Sequence, residues 1–288
     1  MNSQITNAFT VDVEDYFQVE ALSGVVNRSD WGKHKCRVEK NTHKILSLLD
    51  ESNQKGTFFT LGWIAERYPN LVKEIAGLGH EVASHGMSHK LIYTQTEAEF
   101  REETFKAKAI VEDIIQCEVK GYRAATYSIT KKSLWALDVL VEAGFKYDSS
   151  IFPMRHDRYG IPSADHLPGI ITTPNGGDII EFPISTVKNS LFTMPIAGGG
   201  YFRLFNYFIT KWGLASINRN NNPFMFYIHP WEVDFEQPRV DGLSRFSKFR
   251  HYNNLEVCER RLQSLLSDFK FDSMNAVLDS MTLSRTKY

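Results

Sequence analysis

Short apolar runs alternate with longer stretches of helical period along this chain. "NAFTVDV" at residues 7–13 has a strand pattern, and "NTHKILSLLDES" at 41–52 has a helix pattern. "GTFFT" and "HEVAS" read as strands. Between them "PNLVKEIAGLG" predicts a helix that starts at Pro69 and ends at glycines. "TQTEAEFREETFKAKAIVEDIIQ" predicts a long helix capped by Thr94 or Thr96. "VKGYRA" predicts a strand, and "TKKSLWALDVLVEAG" a helix capped by Thr130 and closed by Gly144. "FKYDSS", "DIIEFPIST" and "PFMFYIHP" are later strands. In "NNLEVCERRLQSLLSDFKF", Leu255, Cys258, Leu262, Leu265 and Phe269 recur at steps of three and four. That stripe packs on the body or serves a second copy, so the oligomeric state stays open.

Strands that alternate with helices imply βα units and a parallel sheet. This many units in one chain favours an α/β fold of the (β/α) barrel type over an open sheet. Residues 152–177 carry Pro153, Pro162, Pro168, Pro174, Gly169, Gly176 and Gly177, which predicts a long loop. We expect one domain over 1–288, with about 240–288 as a C-terminal helical extension on the barrel.

The 288 residues carry 42% hydrophobic and 23% charged side chains, an ordinary globular balance. A net charge of −1 gives no overall electrostatic footprint for nucleic acid or an acidic membrane. Three scattered cysteines argue against a disulfide framework or a Cys-based zinc site, and fit a reducing compartment. "MNSQITNAFTVDVEDYF" shows no basic start followed by an apolar run, and no stretch approaches a membrane span. A cytoplasmic protein is expected.

In βα folds chemistry gathers at the C-terminal ends of the strands. Here those ends are rich in ionisable groups. The first strand ends in Asp12, Glu14 and Asp15. "EVAS" runs into His85, with His89 four residues on, a spacing that puts both imidazoles on one face of a helix. "VKGYR" ends in Arg123, "FKYD" in Asp148 and "FMFYIHP" in His229. Each alone has a plain structural use, such as capping a helix. Burying all of them on one side is costly unless a metal or a substrate uses them. Two histidines and a carboxylate with an open position suit Zn²⁺, with Co²⁺, Ni²⁺ or Mn²⁺ as alternatives. A second carboxylate can act as base, another histidine as acid, and an arginine can hold the base ionised. The set suits metal-assisted hydrolysis of an acyl bond.

These motifs resemble the NodB-homology polysaccharide deacetylases (carbohydrate esterase family four). Within that family the chain is similar to the cytoplasmic subgroup of exopolysaccharide and exosortase-associated loci. The similarity extends to the tail "LSRFSKFRHYNNLEVCERRLQSLLSDFKF". The resemblance implies a distorted barrel, a divalent metal and an N-acetylated sugar as substrate. In "TVDVEDYF" it makes Asp12 the catalytic base and Glu14 or Asp15 the carboxylate ligand. Strand alternation leans to Glu14, and a turn after Val13 would bring in Asp15. "HGMSH" supplies His85 and His89 as ligands. In "RAAT", Arg123 is present, Ala125 replaces the usual proline, and the Thr126 N–H would help hold the oxyanion. His229 of "YIHPWE" would be the general acid. Asp148 of "YDSSIFP" lacks the family's usual aromatic partner. Asp148, Gly199 in "AGGGYFR", Tyr127 and Trp231 are candidate sugar contacts. Two other readings use the same residues: an amide hydrolase acting on a small cyclic imide or ureide, and an inactive sugar-binding module. An open groove would favour the polysaccharide enzyme, and a closed pocket the small-molecule one.

Overall fold

The computed structural model describes residues 5–156, 158–188, 193–286 and 288. The first four residues of the opening stretch and position 157 of the predicted long loop lie outside it.

The first half is a run of βα units. It comprises β1 (Thr6–Val13), α1 (Val38–Glu51), β2 (Thr57–Thr60), α2 (Gly62–Arg67), α3 (Pro69–Gly77), β3 (Glu81–Ser84), α4 (Glu97–Ile115), β4 (Gly121–Tyr122), α5 (Trp135–Glu142) and β5 (Tyr147–Asp148). The second half is more irregular. It has β6 (Gly169–Thr172), β7 (Asp178–Glu181), β8 (Thr186–Lys188), β9 (Thr193–Pro195), α6 (Gly199–Leu204), α7 (Tyr207–Arg219) and β10 (Met225–Ile228). It closes with α8 (Arg245–Tyr252), α9 (Leu255–Asp268), β11 (Lys270–Asp272) and α10 (Met274–Asp279).

The main sheet has the order β10-β1-β2-β3-β4-β5-β7-β6. Every pair is parallel except β6–β7, and β8 and β9 form a separate antiparallel pair. β1 is the most shared strand. It pairs with β10 on one side, and with β2 and β11 on the other segments of its length. Its seven residues from Asn7 to Val13 are all buried, as expected for a parallel strand covered on both faces. The architecture is the mixed α/β type that the strand–helix alternation predicts.

Most elements of the first half lie where the pattern puts them. Thr96 caps α4 through a reciprocal capping box with Glu99, and Gly144 follows α5 with a positive φ. Three expectations are corrected. α5 starts at Trp135, not Thr130, because the Thr130 N–H donates to Ser133 Oγ and residues 130–134 form turns instead. The 152–177 stretch is not loop throughout. β6 forms in it because Ile170 and Ile171 continue the sheet beside β7. The C-terminal region is likewise not all helix, since Phe271 on β11 packs at 3% exposure beside β1. The predicted stripe of α9 is buried in the protein's own core, with Leu255, Cys258, Leu262 and Leu265 at 2% exposure or less.

Candidate active site

Register builds the site. Val13 pairs with Thr60, Thr60 with Ser84, Ser84 with Tyr122, and Tyr122 with Asp148. The residues one step beyond that row are Glu14, His85 and Arg123. On the other side of β1, Val11 pairs with Ile228, which sets His229 level with Asp12. Asp12 is on β1, and Glu14 lies one residue past its end, where its N–H donates to the Asp12 carbonyl.

Glu14, His85 and His89 offer one ligand atom each, all within 4.8 Å of one another. Glu14 Oε2 is buried without a hydrogen-bond partner and lies 2.7 Å from His89 Nε2. An orphaned buried oxygen facing two imidazoles is the donor set that a divalent ion satisfies. His85 donates from Nδ1 to the Arg123 carbonyl at 2.8 Å, so Nε2 is the free nitrogen. Burial holds the His85 imidazole down to about 4, in its neutral, ligand-ready form. Burial opposes the charge on Glu14, but the facing His89 and His229 outweigh it and hold the carboxyl at about 2.

The helical-face expectation for the pair is corrected. Residues 85–91 form no helix. The chain turns through Gly86 and then His89, both with positive φ, and this folds the two rings to 5.5 Å apart. Arg28 clamps the turn by donating to the carbonyls of Ser88 and His89 at 2.8 Å each. Asp15 is outside the cluster. Its carboxylate accepts from the backbone N–H groups of Tyr16, Arg37 and Val38 and from Cys36 Sγ, and so caps the start of α1.

Asp12 stands on one flank. Its Oδ1 accepts from Arg123 Nη1 at 2.6 Å, and both side chains are buried. Arg123 is fixed in turn by Thr10 Oγ1, by the Ser149 carbonyl and hydroxyl, and by the Phe59 ring 4.0 Å from its guanidinium carbon. Asp12 Oδ2 is the oxygen left facing the site, 3.8 Å from His229 Nε2.

His229 stands on the opposite flank. Glu232 accepts at 2.7 Å from its Nδ1, which turns Nε2 inward, 3.5 Å from Glu14. Burial alone would lower its pKa, but Glu232, Glu14 and Asp12 raise it to about 9. Glu232 is itself held at about 2 against its burial by Arg203 and His229. Arg203 lies 2.6 Å from Glu232 and donates to the carbonyls of Arg250, His251 and Asn253. Glu232 and Arg203 escaped the sequence reading. The signal for Glu232 was its place three residues after His229. Arg203 has no such local signal, because it meets Glu232 only in space.

Thr126 and Tyr127 both adopt left-handed backbone, with φ of 54° and 51°, a costly conformation at two consecutive non-glycine residues. The turn is closed by the N–H groups of Tyr127 and Ser128, and neither bond uses the Thr126 N–H. Thr126 borders a groove of about 490 Å³ that Tyr227 and Trp231 also line. Trp231 Nε1 reaches Glu14 Oε1 at 3.4 Å, so the groove adjoins the cluster.

The four candidate sugar contacts fare differently. Trp231 stacks on His251 and His229 and is 6% exposed, while Tyr127 packs among Phe152, Tyr159 and Tyr227. Both rings are committed to packing. Gly199 sits against the Tyr227 ring, and a Cβ there would meet it at 2.6 Å. Its neighbour Gly198, at φ 131°, approaches the Tyr227 carbonyl so closely that a Cβ would lie 1.9 Å from it. These glycines thus admit β10 rather than a sugar, and Gly200 is the one that lines the groove. Asp148 is wholly buried beside its register partner Glu181. Burial raises both carboxyls, Asp148 to about 6, and Asp148 Oδ2 and Glu181 Oε2 are buried without a hydrogen-bond partner.

Comparison with known proteins agrees with this geometry. Residues 30–147 match the family model "Polysaccharide deacetylase", and residues 149–279 match a domain of unknown function. A peptidoglycan-N-acetylglucosamine deacetylase of Bacillus cereus is 37% identical over 98 residues, 34% of this chain and 36% of that protein. The chain therefore spans about a third of that relative's length. The crystal structure of a candidate polysaccharide deacetylase from Mycobacterium smegmatis superposes with a TM-score of 0.65 at 18% identity, covering 99% of this chain and 93% of that one. An allantoinase superposes at 0.60 with 16% identity, covering 96% and 89%. At such identities these structures share the fold alone. The two matches divide most of the chain between them: the first half is similar to polysaccharide deacetylases, and the part similar to a domain of unknown function contains His229, Glu232 and Arg203.

Proposed function

We propose that this protein is a metal-dependent N-deacetylase that removes acetyl from an N-acetylated amino sugar. One observation carries the reading. The Glu14–His85–His89 cluster is flanked by an Arg123-held carboxylate on one side and a Glu232-held imidazole on the other.

Glu14, His85 and His89 would hold the ion, with Zn²⁺ the best match to two imidazoles and one carboxylate. Bound there, a divalent ion supplies Lewis acidity to the acetamide carbonyl and to the attacking water. Asp12, held in place by Arg123, takes a proton from that water through Oδ2. The Thr126 N–H offers a donor to the developing oxyanion. His229 gives its Nε2 proton to the departing nitrogen, and Glu232 holds the ring in the orientation that allows it. Water oxygen ends in acetate, the C–N bond breaks, and a free amine remains on the sugar. On this reading the domain of unknown function supplies the acid half of the site.

The groove supports an oligosaccharide over a small ureide. Its outer rim is formed by the exposed Phe246 and Phe249, so it opens to solvent instead of enclosing its guest. The presence of Asp12, His85, His89, Arg123 and His229 together argues against an inactive module. Three free cysteines support a cytoplasmic setting, and with it a soluble or lipid-linked precursor, consistent with a place in exopolysaccharide assembly. Among the described residues no helix is long and apolar enough to cross a membrane.

The test is acetate release from N-acetylglucosamine oligomers by zinc-loaded protein. Equal amounts of acetate and free amine are expected. Absence of acetate from N-acetylated sugars, with ring opening of allantoin, would transfer the site to the ureide reading.

A further inference from the structure

The groove that begins at Thr126 and Trp231 opens outward between α6 and α8. Its rim carries Leu204, Phe246 and Phe249, at 46%, 66% and 53% exposure. Large apolar side chains grouped in this way at a groove mouth are uncommon on a water-facing surface. Helix α8 shows its phenylalanines to solvent, and only His251 of its residues is buried.

The charge on α8 itself is one-sided, although Glu20 lines the same groove. From Gly242 to Leu255 the sequence has Arg245, Lys248 and Arg250 and no Asp or Glu, in a chain whose net charge is −1. All three cations are exposed. Among the described residues none of them has a carboxylate within ion-pair distance. The Arg250 guanidinium carbon lies 5.3 Å from the Phe246 ring centroid, so cation and ring form one surface. The overall balance predicted no attraction to an acidic membrane, but the average conceals this local patch.

We propose that α8, together with the Leu204 rim, docks on an anionic lipid bilayer. The phenylalanines would enter the boundary between headgroups and acyl chains, and the three cations would meet lipid phosphates. A neutral or basic protein partner would leave those cations uncompensated. The docked orientation sets the mouth of the groove at headgroup level, where a sugar carried on a lipid would be presented. The docking itself stands on the surface of α8 and does not depend on the deacetylase reading.

Co-sedimentation with vesicles tests it directly. The full chain should sediment with phosphatidylcholine mixed with phosphatidylglycerol, and at least about tenfold less with phosphatidylcholine alone. Phe246→Ser with Phe249→Ser should weaken binding at least about tenfold. Arg245→Gln, Lys248→Gln and Arg250→Gln together should abolish the preference for anionic lipid. Unchanged near-ultraviolet circular dichroism confirms that these surface variants stay folded. The proposal is overturned if wild type ignores anionic vesicles, or if either variant binds as wild type does. It is also overturned if wild type forms a dimer that the phenylalanine variant dissolves, because a second copy would then cover the patch.

Discussion

Asp12→Asn lowers kcat on an N-acetylated sugar by about 10²–10⁴-fold, the range a positioned general base contributes. Asparagine keeps the size of the side chain and still accepts from Arg123 Nη1 through its carbonyl oxygen. It cannot take a proton from water. Because Asp12 is outside the Glu14–His85–His89 cluster, bound metal per chain should stay at the wild-type level. The substitution leaves the buried Arg123 charge uncompensated, so a stability loss of up to about 3–5 kcal/mol is expected in thermal unfolding. Thr10, Ser149 and the Phe59 ring still hold the guanidinium and limit that loss. Rates are therefore compared per folded, metal-loaded chain. A kcat within a few-fold of wild type would remove Asp12 from the role of base.

The second large effect concerns the support behind His229. Arg203→Met leaves the buried Glu232 with His229 alone as its charged partner and deprives three carbonyls of their donor. A loss of about 3–5 kcal/mol follows from breaking one side of a buried ion pair. Adding Glu232→Gln removes the undercompensated buried charge and should restore much of the stability. It should not restore the pH profile. His229 must be protonated to act as acid, and the Glu232 carboxylate is the main group raising its pKa to about 9. Without it the pKa falls, because burial pushes it down and only Glu14 and Asp12 still raise it. The alkaline limb of kcat/KM should thus move to lower pH in the double variant, with activity lost first at the alkaline end. Recovered stability with an unmoved alkaline limb would reduce the pair to a structural role.

Sequence pattern revealed most of what local physics decides. Short apolar runs bounded by turn residues located β1, β2 and β3, which are buried on both faces, and a helical period with its cap located α4. The ionisable strand ends pointed to one face because a parallel sheet brings all its C-terminal ends together. What escaped detection depended on distant partners. The 85–89 pair converges through a loop with positive φ at His89, which no helical spacing describes. Glu14 and Asp15 are adjacent and chemically alike. Only the fold sends one to the cluster and the other to the N–H groups that start α1. Arg203 and Glu232 are 29 residues apart and meet across α6 and the turn after β10. The glycines of "AGGGYFR" are required by Tyr227 on β10, a strand that pairs with the opposite end of the sequence.

The central claim is that Glu14, His85 and His89 form a metal centre. Divalent metal per chain, measured in wild type and in His89→Ala purified without chelator or affinity nickel, tests it without any guess about the sugar. We expect about one ion per wild-type chain and its loss in the variant. Wild type that binds no ion even after zinc is restored would contradict the metal centre and the hydrolysis built on it.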